Sequence, residues 1–158
     1  MSSELHRPTI LGAGSENVAS KFTSIEEFRQ DIGQANLYFR SKLGVLLFTK
    51  ALVQRHLKPP SSIIAYATHP GAVATGQVQQ YKPAYGELIG GVLGAVIKQV
   101  MRKPDDGALS ILWAATAKDA RGPYPNGQYF TDPNEIGKET AQANDLEVSL
   151  LLRIVKSL

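Results

Sequence analysis

The sequence predicts an α/β fold, a parallel sheet layered with helices, and three observations carry that prediction. Short apolar runs that stop at glycine or proline alternate with longer stretches whose apolar residues recur at helical spacing. Their order along the chain is strand, helix, strand, helices, strand, helix, and parallel strands require such helical crossovers, normally right-handed. The chain has 158 residues and is 43% hydrophobic, enough for one buried core and too short for two ordinary domains, so residues 1–158 are expected to form a single domain.

Each element has a local reason. Pro8 to Gly12 reads Pro-Thr-Ile-Leu-Gly, which suits a buried strand giving way to a loop at the glycine. Ser24 precedes Ile25, Glu26 and Glu27 in a capping-box pattern, and a short helix is expected from there to about Asp31. From about Leu37 to His56, residues Leu43, Leu46, Leu47, Lys50 and Val53 fall at helical spacing, and Pro59 and Pro60 stop the helix. Ile63 to Thr68 is a β-rich run halted by His69-Pro70-Gly71, the second expected strand. Gly86 to Met101 can form a helix despite four glycines, and Asp105 to Lys118 is a better one, with Asp105 and Asp106 at its positive end. Gly122 to Gln128 is rich in turn residues and leads into the third expected strand, Tyr129-Phe130-Thr131, closed by Asp132-Pro133. Lys138 to Lys156 is again helical in pattern.

Composition narrows the function classes. The formal charge of +3 and pI near 9.2 lean basic, but Lys and Arg are interspersed with acidic residues and form no tract, which argues against nucleic-acid binding. The chain has no cysteine, so disulfides, thiolate catalysis and Cys-based metal sites are excluded, and a reducing, cytoplasmic setting is expected. The opening Met-Ser-Ser-Glu-Leu-His-Arg has neither a signal-peptide nor a transit-peptide pattern. The apolar stretch from Leu88 to Ile97 is roughly half the length of a bilayer-spanning helix, so it could touch a membrane but not be stably inserted in one. His6, His56 and His69 are too far apart in sequence to suggest a metal site, and no metal is expected.

Tyr38 and Lys42 are the candidate chemical pair. Four residues apart on a helix, their side chains rise from the same face, one turn from each other. A lysine ammonium beside a phenol stabilises phenolate, which lets a tyrosine exchange a proton with an alcohol or ketone near neutral pH. A Tyr-x-x-x-Lys spacing alone carries little weight, because it arises by chance in roughly one such chain in three.

Context gives the pair its meaning. Tyr38-Phe-Arg-Ser-Lys-Leu-Gly-Val-Leu-Leu-Phe-Thr-Lys is followed by a strand and then by His69-Pro-Gly-Ala-Val-Ala-Thr75. Together these resemble the short-chain dehydrogenase/reductase family, in particular its retinol-dehydrogenase-like branch, in both motif and separation. Ile111-Leu-Trp-Ala-Ala-Thr116 and Gly127-Gln-Tyr-Phe130 resemble that branch's penultimate helix and final strand, so the resemblance extends over nearly the whole chain.

The resemblance implies a partial Rossmann-type, doubly wound parallel sheet, its last three strands with flanking helices, and an NAD(P)-dependent oxidoreductase acting on an alcohol or ketone of a hydrophobic small molecule. It implies that Tyr38 donates or accepts the proton and also touches the cofactor, and that Lys42 supports it and holds the ribose hydroxyls of NADP, or of NAD. It also implies that the backbone at Val73 meets the nicotinamide carboxamide, with Thr75 near the phosphates. For the substrate-side serine of the family the candidate is Ser15, with Ser20 and Ser24 as alternatives, although Ser24 is also explained as a helix cap.

Ile10-Leu-Gly-Ala-Gly-Ser-Glu-Asn imitates the start of a phosphate-binding glycine loop, but Asn17 stands at the third glycine position and no acidic strand end follows. The nucleotide-binding N-terminal portion of the family's fold is thus expected to be absent. The sheet would then expose an edge, to be covered by a second copy or a partner. The alternative to an enzyme is a truncated, non-catalytic relative acting as a binding or assembly module.

Overall fold

A computed structural model describes residues 2, 6, 18, 20–22, 24–74 and 101–145. Their elements are α1 (Glu26–Arg29), α2 (Gln34–His56), β1 (Ala67–Thr68), α3 (Pro104–Thr116), a 3-10 turn (Asp119–Arg121), β2 (Tyr129–Asp132), β3 (Glu135–Ile136) and α4 (Ala141–Asn144). The expected strand at Pro8 to Gly12 and nearly all of the expected helix from Gly86 to Met101 lie outside the described residues. So does most of the expected helix from Lys138 to Lys156, of which α4 is a described part.

The fold is mixed α/β. β1 pairs in parallel with β2, in the register Ala67 to Tyr129 and Thr68 to Phe130, and β2 pairs antiparallel with β3. The antiparallel strand corrects the expectation of an all-parallel sheet. Asp132-Pro133 does not end the strand system, because Asn134 adopts a left-handed backbone with φ 65° and turns the chain back as a tight hairpin. Asparagine tolerates that conformation where most residues do not.

Alternation along β2 splits the core between two faces. Tyr129 packs with Phe39, Leu43, Leu46 and Leu47 of α2, together with Ala67 of β1, Phe22 and Ala143 of α4. Phe130 points the other way and meets Trp113 of α3 edge-on, with centroids 4.9 Å apart, and then Tyr66 and Tyr124 at 5.1 Å each. Helices therefore cover both faces of this short sheet, the reason its central strand carries two adjacent fully buried aromatics.

Element boundaries moved for identifiable reasons. α2 begins at Gln34, three residues earlier than expected, after Gly33 with φ 79°; the Leu37 amide donates to the Gly33 carbonyl at 3.0 Å. α1 is shorter than expected and no side chain caps it, but the Glu27 carboxylate accepts from the amides of Lys21 and Ser24 at 3.0 and 3.4 Å. β1 keeps only the last two residues of the expected Ile63 to Thr68 strand. Ahead of it the Asn126 side chain accepts from the Ala65 amide and donates to the Ile63 carbonyl, so a side chain stands where a ladder would continue. Ile63 and Ile64 remain exposed beside it.

The outer edge of β1 is met by the chain itself. In a parallel ladder alternate residues bond to opposite sides. The amides of Ala67 and His69 donate to the carbonyls of Gln128 and Phe130, while the carbonyl of Thr68 faces outward and accepts from the Ser2 amide at 2.8 Å. Among the described residues no helix is long and apolar enough to cross a membrane.

Candidate active site

α2 runs antiparallel to the two parallel strands, and two contacts fix its level. Ser2 links Lys42 to the carboxyl end of β1: its hydroxyl donates to the Lys42 carbonyl at 3.2 Å while its amide donates to Thr68. At the other end of the helix, Val53 lies beside Gly127, just ahead of β2. The Tyr38 and Lys42 end of α2 is therefore at the carboxyl ends of β1 and β2, the rim on which α/β sheets bind their ligands.

Tyr38 is half-buried and packs on the edge of the core. The Lys42 ammonium lies over its ring, 5.2 Å from the centroid. Two residues beyond Tyr38, Arg40 is buried, and its Nη1 donates to the Glu27 carbonyl at 2.6 Å while its guanidinium covers the ring of Phe28 at 5.5 Å. Arg40 thus fixes the rotation of the helix that carries the pair. Ser41 is exposed and donates back to the Tyr38 carbonyl at 2.7 Å.

The segment after β1 is held at the same rim. Gly71 has φ 78°, which favours glycine, and a Cβ there would come within 3.0 Å of the Arg102 side chain. Val73 forms a parallel bridge with Arg102: the Arg102 amide donates to the Ala72 carbonyl at 2.8 Å and the Ala74 amide to the Arg102 carbonyl at 3.0 Å. In that pattern the amide and carbonyl of Val73 itself point away from Arg102. The Val73 side chain rests on Gly107 in the first turn of α3, where a Cβ would overlap it. Ser110, on the next turn, donates to the His69 carbonyl at 3.0 Å.

Sequence reasoning missed the ion pair that closes this region. Arg102 grips Asp132, at the carboxyl end of β2, with both guanidinium nitrogens, Nη2 donating to Oδ2 at 2.8 Å. The hydrogen bond from Arg102 holds the Asp132 carboxyl below its usual range against the opposing effect of burial, and His69 adds to the lowering. The same bond raises Arg102. Thirty positions separate the two, and neither belongs to a motif, so the one available signal was Asp132 closing an apolar strand.

Of the expected site residues, the structure brings Tyr38 and Lys42 into contact and sets Val73 at the same end of the sheet, packed on α3. Ser15 and Thr75 lie outside the described residues. Ser20 is buried, and its carbonyl accepts from the Gln142 side chain of α4. Three clefts of about 360, 410 and 450 Å³ are lined by other residues. Among the described residues no cluster of His, Asp and Glu forms a metal site.

A tyrosine and a lysine in contact at the carboxyl rim of a mixed α/β sheet are what the described residues bring together. No family model matches the chain. Its sequence is 27% identical over 139 residues to a mitochondrial protein of Neurospora crassa named as an oxidoreductase, bli-4, covering 84% of this chain and 32% of that protein. It is 24% identical over 111 residues to the short-chain dehydrogenase/reductase pkfC of Emericella nidulans, covering 70% of this chain and 33% of the relative. It is 29% identical over 100 residues to an uncharacterized oxidoreductase of Schizosaccharomyces pombe, covering 63% and 28%. The chain is thus distantly similar, over part of its length, to short-chain dehydrogenase/reductases and other oxidoreductases, and it spans about a third of the length of these relatives.

Proposed function

We propose that this chain carries the tyrosine-and-lysine part of an NAD(P)-dependent short-chain oxidoreductase, of the retinol-dehydrogenase-like kind, acting on an alcohol or ketone of a hydrophobic small molecule. The observation that carries the proposal is the Lys42 ammonium over the Tyr38 ring at the carboxyl rim of the sheet. The similarity to pkfC and the other oxidoreductases supports it independently.

The donor set around the pair fits a nicotinamide nucleotide, NADP in the first instance and NAD as the alternative. Lys42 offers three N–H donors suited to ribose hydroxyls, and Val73 offers an amide and a carbonyl suited to a carboxamide. When bound, the nicotinamide supplies or takes up hydride. Tyr38 moves the proton at the substrate oxygen, with Lys42 stabilising the phenolate. Ser15 would steady that oxygen by donating to it. Thr75 would serve the phosphates.

Substituting Tyr38→Phe tests the assignment. Turnover should fall by about 10²- to 10⁴-fold, the usual worth of a general acid or base, with NADPH affinity little changed. Full activity in this variant would remove Tyr38 from the mechanism. Saturable NADPH binding by the unaltered chain is the companion requirement.

The exposed Leu37, Val45 and Phe48 on the outer face of α2 favour a second reading, a non-catalytic assembly module that pairs through this helix. Such a module would associate with itself or a partner without binding NADPH. The absence of cysteine supports a reducing compartment, and we place the protein in the cytoplasm, which cell fractionation would check.

A further inference from the structure

We infer that Arg102 and Asp132 form a positioning pair, which holds the backbone of Val73 in the orientation that receives the amide group of a nicotinamide; this rests on the cofactor reading above. Neither residue is assigned a contact with the ligand. Arg102 works on the Val73 segment in two ways. Its backbone bonds to Ala72 and Ala74 and so fixes the plane from which the Val73 amide and carbonyl project. Its side chain crosses Gly71 to reach Asp132, which anchors that segment to the end of β2.

The pair is 41% and 31% exposed, and an ion pair so open to water adds little to stability. Its two-pronged contact gives geometric definition instead. The negative groups Asp106 and Glu135 also act on Arg102, so the guanidinium sits in an acidic setting. Gly107 and Ser110 of α3 restrain the segment from the other side. A segment clamped on two sides, with the amide and carbonyl of one residue pointing away from the bridge that holds it, is suited to receiving a planar amide.

The test compares two ligands by calorimetric titration: NADPH, and its 3-acetylpyridine analogue, which keeps the carbonyl acceptor but lacks the N–H donor for the Val73 carbonyl. The unaltered chain should prefer NADPH by about tenfold, the worth of one hydrogen bond in a desolvated site. Arg102→Met and Asp132→Asn should each weaken NADPH more than the analogue and so bring that preference toward unity, with Arg102→Lys intermediate. Asp132→Asn is nearly isosteric and preserves the test if Arg102→Met fails to fold. Equal weakening of both ligands, or no change in either, would overturn the positioning role alone. Failure of the unaltered chain to bind either ligand would overturn the cofactor reading and the positioning role with it.

Discussion

The Lys42 ammonium and the Tyr38 ring are in contact across one turn of α2, 5.2 Å from Nζ to the ring centroid. A cation on an aromatic face at a partly exposed site contributes about 0.5–1 kcal/mol. Replacing Lys42 with Met should therefore cost stability of that order. The same change should lower NADPH-dependent turnover by about 10²-fold or more. Urea unfolding and steady-state rates on one preparation separate the two effects, and parallel losses of only a few-fold would reduce the contact to packing.

Gly107 makes a sharper structural prediction. A methyl at this position would overlap the Val73 side chain, with the Pro70 carbonyl 3.4 Å away, so the first turn of α3 would be pushed from the strand end. Gly107→Ala should destabilise the fold by about 1–3 kcal/mol despite the better helix propensity of alanine. A stabilised variant in chemical denaturation would contradict the close approach described.

Lys50 ties α2 to the last described helix. Its ammonium pairs with Glu139 and donates to Asn144 Oδ1 at 2.5 Å, and both charged side chains are more than four-fifths buried. Lys50→Met should cost roughly 1–3 kcal/mol, because it leaves a carboxylate in a desolvated position. Adding Glu139→Leu should recover much of that loss, since removing both charges spares their desolvation. A double-mutant cycle in urea measures the recovery; additive losses would mean that the two side chains do not interact.

Tyr66 should titrate late. Burial, and secondarily the charge of Tyr124, raises its ionisation above the ordinary phenol value of 10.0, and its hydroxyl donates to the Ala120 carbonyl at 2.9 Å. A raised value in the folded state means a contribution to stability that is complete below the unfolded value and is lost as pH rises through the folded one. Ultraviolet absorbance at high pH should show a late phenolate step that disappears in Tyr66→Phe. An unchanged alkaline titration in that variant would assign the step elsewhere.

What could be read from the sequence follows the range of the interactions concerned. α2 was legible because Leu43, Leu46 and Leu47 repeat at helical spacing, and these are the side chains the structure buries. The contact of Tyr38 with Lys42 was legible for the same reason, since residues four apart on a helix meet wherever the helix is. β3 was not, because the proline after Asp132 suggests an end and only the left-handed Asn134 turns it into a hairpin. The shortening of β1 was hidden in Asn126, a side chain 61 positions from the Ala65 amide it receives. The Arg102 and Asp132 pair depends on where the segment bridged to Val73 meets the end of β2, and that is set by tertiary structure alone.

The buried guanidinium of Arg40 makes α1 a gauge for the azimuth of Tyr38. Successive residues of a helix differ by about 100° around its axis, so the angle between Arg40 and Tyr38 is fixed by covalent geometry. Once Arg40 has seated on the Glu27 carbonyl and the Phe28 ring, the direction in which Tyr38 leaves the helix is already decided. A substitution at Phe28, some distance along the chain and without any polar group to offer, would thereby be felt as a change in aim at the tyrosine.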